Sequence, residues 1–223
     1  LDNIMVGQIG TEQMSGVAIV NQLMFVFHIC IFGAVSGAGI FGTQYYGKGD
    51  YEGQKYAYRF KLYSSTLITV LAVLLFVFGG EFLISLYLSD SGSVGDITLA
   101  LKYGKEYLAI MVIGLFPFAL SQTYISSVRE CGETFVPMVA GLVAVFTNLV
   151  LDVILIFGLL GFPVLGVRGA AIATVIARFV ECFIVIVWTH KNTVKNKFII
   201  GAYKSLYIPK NICFAILKKG TPL

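Results

Sequence analysis

The sequence predicts an all-α, polytopic membrane protein built as a bundle of six transmembrane helices. Three observations predict it. Apolar residue types make up 57% of the 223 residues and charged types only 13%. A soluble domain carries about 25% charged residues, so this chain lacks the groups to cover a surface facing water. The apolar residues also fall into long blocks, and every complete block after the first reaches the roughly 20 residues that cross a bilayer. Finally, the basic residues crowd into alternate connections between blocks.

The first block, 1–7, is a stub, and Gly7-Gln8-Ile9-Gly10-Thr11-Glu12 reads as a turn. No charged n-region leads into an apolar h-region, so no signal peptide is expected. The chain starts at Leu1 and stops at Thr221-Pro222-Leu223, where another apolar segment begins. It reads as a fragment cut inside a helix at both ends. The second helix, about 15–46, carries no charged residue and is longer than a span needs. It is expected to tilt or bend, with Gly33, Gly37, Gly39 and Gly42 as the place. A polar stretch through Lys61 follows, and the third helix covers about 60–88. A loop with Asp90 and Asp96 leads to the fourth helix, about 101–128, with a kink at Pro117. Arg129-Glu130-Cys131-Gly132-Glu133 reads as a short charged turn. The fifth helix is about 135–160, Gly161-Phe162-Pro163 breaks it, and the sixth is about 166–189. Residues 1–190 are thus expected to form the membrane bundle. A basic linker, 191–210, leads to the start of a seventh helix at 211–223.

Charge placement tests this map. The connections after helices two, four and six hold Lys48, Lys55, Arg59, Lys61, Arg129, Lys191, Lys195, Lys197, Lys204, Lys210, Lys218 and Lys219. The other side holds Lys102, Lys105 and Arg168. That asymmetry places the even-helix loops in the cytoplasm of a multi-pass plasma-membrane (inner-membrane) protein. The basic stretch at 191–210 reads as an orienting and lipid-contacting segment rather than a nucleic-acid surface.

Ionisable and polar groups inside spans are costly and each needs a reason. Asp2, Asn21, Asp152 and Thr174 lie six or so residues inside the outer ends of four separate helices. At about 1.5 Å per residue they sit at one level, roughly 8 to 13 Å below the outer surface. Asn148 precedes Asp152 by four residues and shares its helix face. Such a set could hold a proton or Na+, because burial favours the neutral, protonated carboxyl and a small cation needs several oxygens. Asn21, Gln22 and Gln122 are candidate pathway-lining groups. Arg178 and Glu181, spaced i and i+3, read as a structural ion pair. His28, among Phe25, Phe27 and Phe32, reads as a packed neutral side chain.

Other chemistries lack their residues. Cys30, Cys131, Cys182 and Cys213 form no C-x-x-C pair, so no metal site is expected beyond the Na+ candidates. Gly37-Ala38-Gly39-Ile40-Phe41-Gly42 matches G-x-G-x-x-G, yet it ends a charge-free apolar helix rather than following a strand, which excludes a dinucleotide site. With no P-loop and no catalytic triad or H-E-x-x-H pattern, no enzymatic activity and no cofactor are expected.

Several stretches together resemble the multidrug and toxic compound extrusion (MATE) family. They are Asp2-Asn3-Ile4-Met5-Val6-Gly7-Gln8-Ile9-Gly10, Gln44-Tyr45-Tyr46-Gly47-Lys48-Gly49-Asp50, and Arg129-Glu130-Cys131-Gly132 with Pro137. Asn148-Leu149-Val150-Leu151-Asp152 with Phe157-Gly158, Gly166 to Thr174, and Lys219 to Leu223 complete the set. The resemblance implies a twelve-helix parent of two lobes, with this chain as most of the N-lobe and the C-lobe absent. It implies export of small organic, often cationic, compounds in exchange for H+ or Na+. It also implies that Asp2, Asn148, Asp152 and Thr174 line the N-lobe cation site. The alternative is a lipid-linked oligosaccharide or lipid flippase of the same superfamily. A flippase is expected to show a more basic cavity, and Arg178 is the one basic residue placed inside a span.

Overall fold

Helices are what apolar blocks must form in lipid, where each backbone N–H and C=O needs a partner within its own segment. The computed structural model describes residues 2–90, 96–205 and 207–220, with side chains for all of these except Asp2, Ser89, Asp90, Lys219 and Gly220. Among the described residues the chain is helical and contains no strand. The α-helices are α1 (Asp2–Gly7), α2 (Thr11–Gly47), α3 (Tyr51–Asp90), α4 (Ile97–Met111), α5 (Leu115–Glu130), α6 (Phe135–Phe157), α7 (Val167–Lys191) and α8 (Lys210–Gly220). Counting α4 and α5 as one span, five helices among the described residues are long and apolar enough to cross a membrane. Their outer faces carry Phe78 (84% exposed), Leu142 (68%) and Phe183 (69%). Large apolar side chains so bare to the surroundings match lipid rather than water.

The helices contribute to two compact units. The first comprises Leu1–Phe27, Val70–Phe116 and Val143–Phe179. Val6, Val17, Val20, Ile84, Tyr107, Leu115 and Ile156 are fully buried in it. The small-residue run of α7 is a close packing face, as its composition suggests: Ala170, Ala171 and Ala173 are buried. A β-carbon on Gly169 would come within 2.7 Å of the Leu155 carbonyl, so only glycine lets α7 approach α6 so closely.

The second unit comprises His28–Thr69, Pro117–Leu142 and Val180–Leu223. Tyr58, Tyr124, Val128, Ala140 and Val185 form its core with Phe198, Ile199 and Ala202 of the connection after α7. That connection is therefore folded rather than a free linker. A short 3-10 turn at Lys197–Ile199 buries Phe198 against Tyr58, ring centres 5.0 Å apart. Arg59 donates Nε to the Ala202 carbonyl (2.8 Å), Nη1 to Tyr207 (2.9 Å) and Nη2 to Gly201 (3.0 Å). All three nitrogens of a buried guanidinium are spent on backbone carbonyls of one segment.

Several boundaries differ from expectation. α2 runs unbroken past its glycines. α3 begins at Tyr51 rather than near 60, because Asp50 caps it: Oδ1 accepts the Gly53 N–H at 2.9 Å. Arg59 and Lys61 therefore lie inside a helix and are buried, rather than in a polar loop. Glu130 likewise ends α5 instead of standing in a charged turn, with its side chain 6% exposed. The break in the fourth span falls at Val112–Gly114, just before Pro117. Proline has no N–H for the Ile113 carbonyl and its ring crowds that turn, so the distortion appears one turn earlier. α6 stops at Phe157 because Gly158 turns left-handed (φ 69°).

Candidate functional site

The expected site falls mostly in the first unit. Asp152, five residues before the end of α6, is fully buried. Asn148 lies one turn earlier on the same face, and its Nδ2 donates to Thr174 Oγ1 of α7 at 3.2 Å. The close α6–α7 approach at Gly169 brings these two side chains within reach. In the same unit, Asn21 of α2 donates Nδ2 to Asn3 Oδ1 of α1 at 2.9 Å. Tyr107 of α4 donates its hydroxyl to Asn21 Oδ1 at 3.3 Å. Asp2 begins α1, but its side chain lies outside the described residues.

Two polar links thus stand in one unit. One joins α6 to α7 beside a buried carboxyl, and the other joins α1, α2 and α4. Amide and hydroxyl oxygens near a carboxylate are the donor set of a hard monovalent cation or a proton site. Asn3 and Tyr107 were not singled out from the sequence. Asn3 follows Asp2 directly, and Tyr107 looked like an ordinary apolar-helix aromatic. Their signal was position: Asn3 lies four residues before the end of α1 and Tyr107 ten residues into α4, where both meet Asn21.

The remaining candidates scatter. Gln22 is exposed on α2. Gln122 belongs to the second unit, where it lines a cleft with Ser36, Thr43 and Glu130. Arg178 reaches the Gly114 carbonyl from the first unit at 3.4 Å. Glu181 accepts the Ser121 hydroxyl in the second unit at 3.5 Å. His28 is half-buried against Phe118, ring centres 4.2 Å apart.

Lys61 and Glu130 form an ion pair that sequence reading missed. The Lys61 ammonium meets Glu130 Oε1 and also donates to Ser127 Oγ (2.9 Å) and Ser126 Oγ (3.2 Å). Beyond the helices, Cys131 follows α5, and burial pushes its thiol above the usual range. Gln54 Nε2 donates to its Sγ at 3.2 Å, which opposes that push.

The MatE family profile matches residues 1–154, more than half of the chain. The chain belongs to the MatE family. Relatives of this MatE chain include a probable multidrug resistance protein NorM of Thermotoga maritima, 29% identical over 183 residues. That alignment covers 80% of this chain and 37% of the relative. A protein of the same description from Agrobacterium fabrum is 27% identical over 226 residues, covering all of this chain and 46% of the relative. The chain spans about half the length of the curated relatives it matches, or less. Two solved structures share the MatE fold. One is an inward-facing multidrug resistance MATE family transporter of the MOP superfamily (TM-score 0.76, 23% identity, 99% of this chain and 47% of that one). The other is a MATE crystal structure in a bent conformation (TM-score 0.78, 22% identity, 99% and 46%). An all-helical, multi-span membrane fold is thereby shown for this MatE chain, as composition predicted.

Proposed function

We propose that this chain is the N-terminal lobe of a secondary antiporter. The parent would export small organic, mainly cationic, compounds in exchange for H+ or Na+ by alternating access. The relatives' descriptions as multidrug resistance proteins support the cargo class. One observation carries the coupling site: fully buried Asp152 on the helix face where Asn148 bonds Thr174. Protonation or Na+ binding there, aided by Asp2, would neutralise the carboxylate and change how α1, α6 and α7 pack. A charge moving down the membrane potential contributes about 2.3 kcal/mol per 100 mV, enough for a modest drug gradient.

The rest of the reading follows the charges. Lys48, Lys55, Arg129 and Lys191 in or beside the α2–α3, α5–α6 and post-α7 connections, against Lys102, Lys105 and Arg168 on the other side, support a cytoplasmic position for those connections. The protein would sit in the plasma membrane as a transporter rather than an enzyme, with no cofactor, and a second lobe would form the opposite wall of the pathway. Arg59 and Lys61 inside α3 do not revive the flippase reading. Arg59 spends its guanidinium on carbonyls and Lys61 is paired with Glu130, so neither adds a free basic surface.

The test is efflux of a fluorescent cation from energised, pump-deficient bacteria producing the whole two-lobe transporter. Asp152→Asn is expected to abolish efflux driven by a proton or Na+ gradient. Unchanged efflux in well-expressed Asp152→Asn would move coupling out of this lobe.

A further inference from the structure

The connection after α7 is folded onto the second unit, and that fixes where its charges stand. Exposed and buried side chains alternate along 195–198: Lys195 and Lys197 are exposed, while Asn196 and Phe198 are fully buried. The two lysines are therefore carried on an anchored backbone and lose less freedom to an arriving anion than a loose tail would. Lys197 lies over the Tyr51 ring, 4.3 Å from its centre, at the start of α3. An ammonium stacked on a ring keeps N–H groups for an anion. Lys195 Nζ stands 3.3 Å from Glu133 Oε2, with the lysine side chain 65% exposed, and a pair so open to solvent contributes little.

Both lysines line a cavity of about 370 Å³ in the second unit, together with Tyr46, Tyr51, Glu133 and Val194. That size suits a small polar headgroup. The acids of this region are engaged: Glu133 with Lys195, Glu52 with Lys55, and Asp50 in capping α3. Lys48 and Lys191 are exposed and close in sequence to lining residues. Neither they nor Lys197 form an ion pair among the described residues. Uncompensated positive charge around a cavity concentrates anions there. The cavity also stands at the ends of membrane helices: α2 stops at Gly47, just past Tyr46, and α3 begins at Tyr51. Val194 is 84% exposed, and Tyr46 and Tyr51 are exposed too. Bare apolar and aromatic surface beside lysines adds nothing for a soluble anion and suits one that carries acyl chains.

We propose that this cavity binds the headgroup of an anionic phospholipid. The phosphodiester accepts from the Lys195 and Lys197 ammonium groups, and the upper acyl chains lie beside Val194 and the two tyrosines. The lipid thereby joins the α2–α3 turn, the α5–α6 turn and the connection after α7. Zwitterionic lipid, whose own cation offsets its phosphate, is held less well. Of the proposed function, only the cytoplasmic placement of these connections enters, because it sets the leaflet that supplies the lipid. Neither the cargo nor the coupling role of Asp152 is involved.

The experiment titrates the purified protein in detergent with dioleoyl phosphatidylglycerol or dioleoyl phosphatidylcholine and reads bound lipid by native mass spectrometry. Phosphatidylglycerol is expected to bind the more tightly. Lys195→Gln with Lys197→Gln is expected to weaken its binding roughly tenfold or more. Lys102→Gln with Lys105→Gln, which removes as much charge from the first unit, is expected to leave it unchanged. Val194→Glu, at a bare position that keeps both lysines, is expected to weaken it as well. Equal binding of the two lipids, unchanged binding in the Lys195 and Lys197 double variant or in Val194→Glu, or equal losses in the two double variants overturns the proposal. Displacement of phosphatidylglycerol by millimolar inorganic phosphate would assign the cavity to a free anion and overturns it too. Binding as expected, with a membrane-impermeant thiol probe reaching Val194→Cys from outside intact cells, removes the cytoplasmic placement alone. Failure of the binding arms, with Val194→Cys reached only from inside, removes this inference alone.

Discussion

Asp152 in the first unit and Glu130 in the second are both buried carboxylates, yet their settings differ. Asp152 shares a helix face with Asn148, whose amide is bonded to the Thr174 hydroxyl. Glu130 meets a fully buried lysine across α3 and α5. Neutral amide and hydroxyl groups can reorient around an arriving ion, whereas a fixed ammonium already supplies the counter-charge. On the coupling proposal, the first setting is the one that takes up an exchangeable cation. The second holds α3 and α5 together. Burial of an acid in a membrane helix is therefore not by itself a sign of ion coupling; the company it keeps decides.

The largest expected effect breaks the Glu130 side of this comparison. Lys61→Met leaves a buried carboxylate without its base, which costs about 3–5 kcal/mol. Thermal unfolding in detergent should show a marked fall, and adding Glu130→Gln should restore much of it. Wild-type stability for Lys61→Met alone would mean the pair contributes little.

Arg59→Ala comes next, at about 2–4 kcal/mol, because three charge-assisted bonds to carbonyls are lost together. Proteolysis and amide exchange should increase between 197 and 207. Arg59→Lys should recover only part of the protection, since the single nitrogen of an ammonium cannot span carbonyls that three separate guanidinium nitrogens reach.

On the Asp152 side the expected loss is smaller. Thr174→Val removes the acceptor of the Asn148 amide and should cost about 1 kcal/mol by thermal unfolding, with the polar cluster beside Asp152 weakened. A loss as large as that of Lys61→Met would make this cluster as rigid as the ion pair and erase the contrast.

The smallest effect is local and pH-dependent. Asp96 caps α4, and bonds from the Thr98 hydroxyl, Thr98 N–H and Leu99 N–H hold its carboxyl below the usual aspartate range. A depressed folded-state value means the cap contributes fully above the ordinary aspartate value of about 4 and is lost as pH falls through the lowered one. Amide exchange at Thr98 and Leu99 should rise only under acid conditions, and a rise at neutral pH would contradict the assignment.

Much of this was legible in the chain. The spans and the Gly169 packing face follow from block length and small-residue runs, and helix spacing and depth had already drawn attention to Asn148 and Thr174, which the structure joins by a hydrogen bond. The buried bases were not. Arg59, Lys61 and Glu130 stand among other charged residues near helix ends, so they read as loop and turn. Their burial depends on which helix faces them, a long-range fact that local composition does not carry. A faint signal existed in Ala57, Tyr58, Phe60 and Leu62, which surround the two bases with apolar side chains. A helix extended back to the Asp50 cap would have turned both inward.

The Arg59 clamp has a mechanical corollary. It grips the chain at Gly201, Ala202 and Tyr207, and α8 begins at Lys210. Three residues extend at most about 10 Å. Whatever α8 connects to is therefore on a short leash rather than a slack tether, so a displacement of α3 pulls on the start of α8 almost directly.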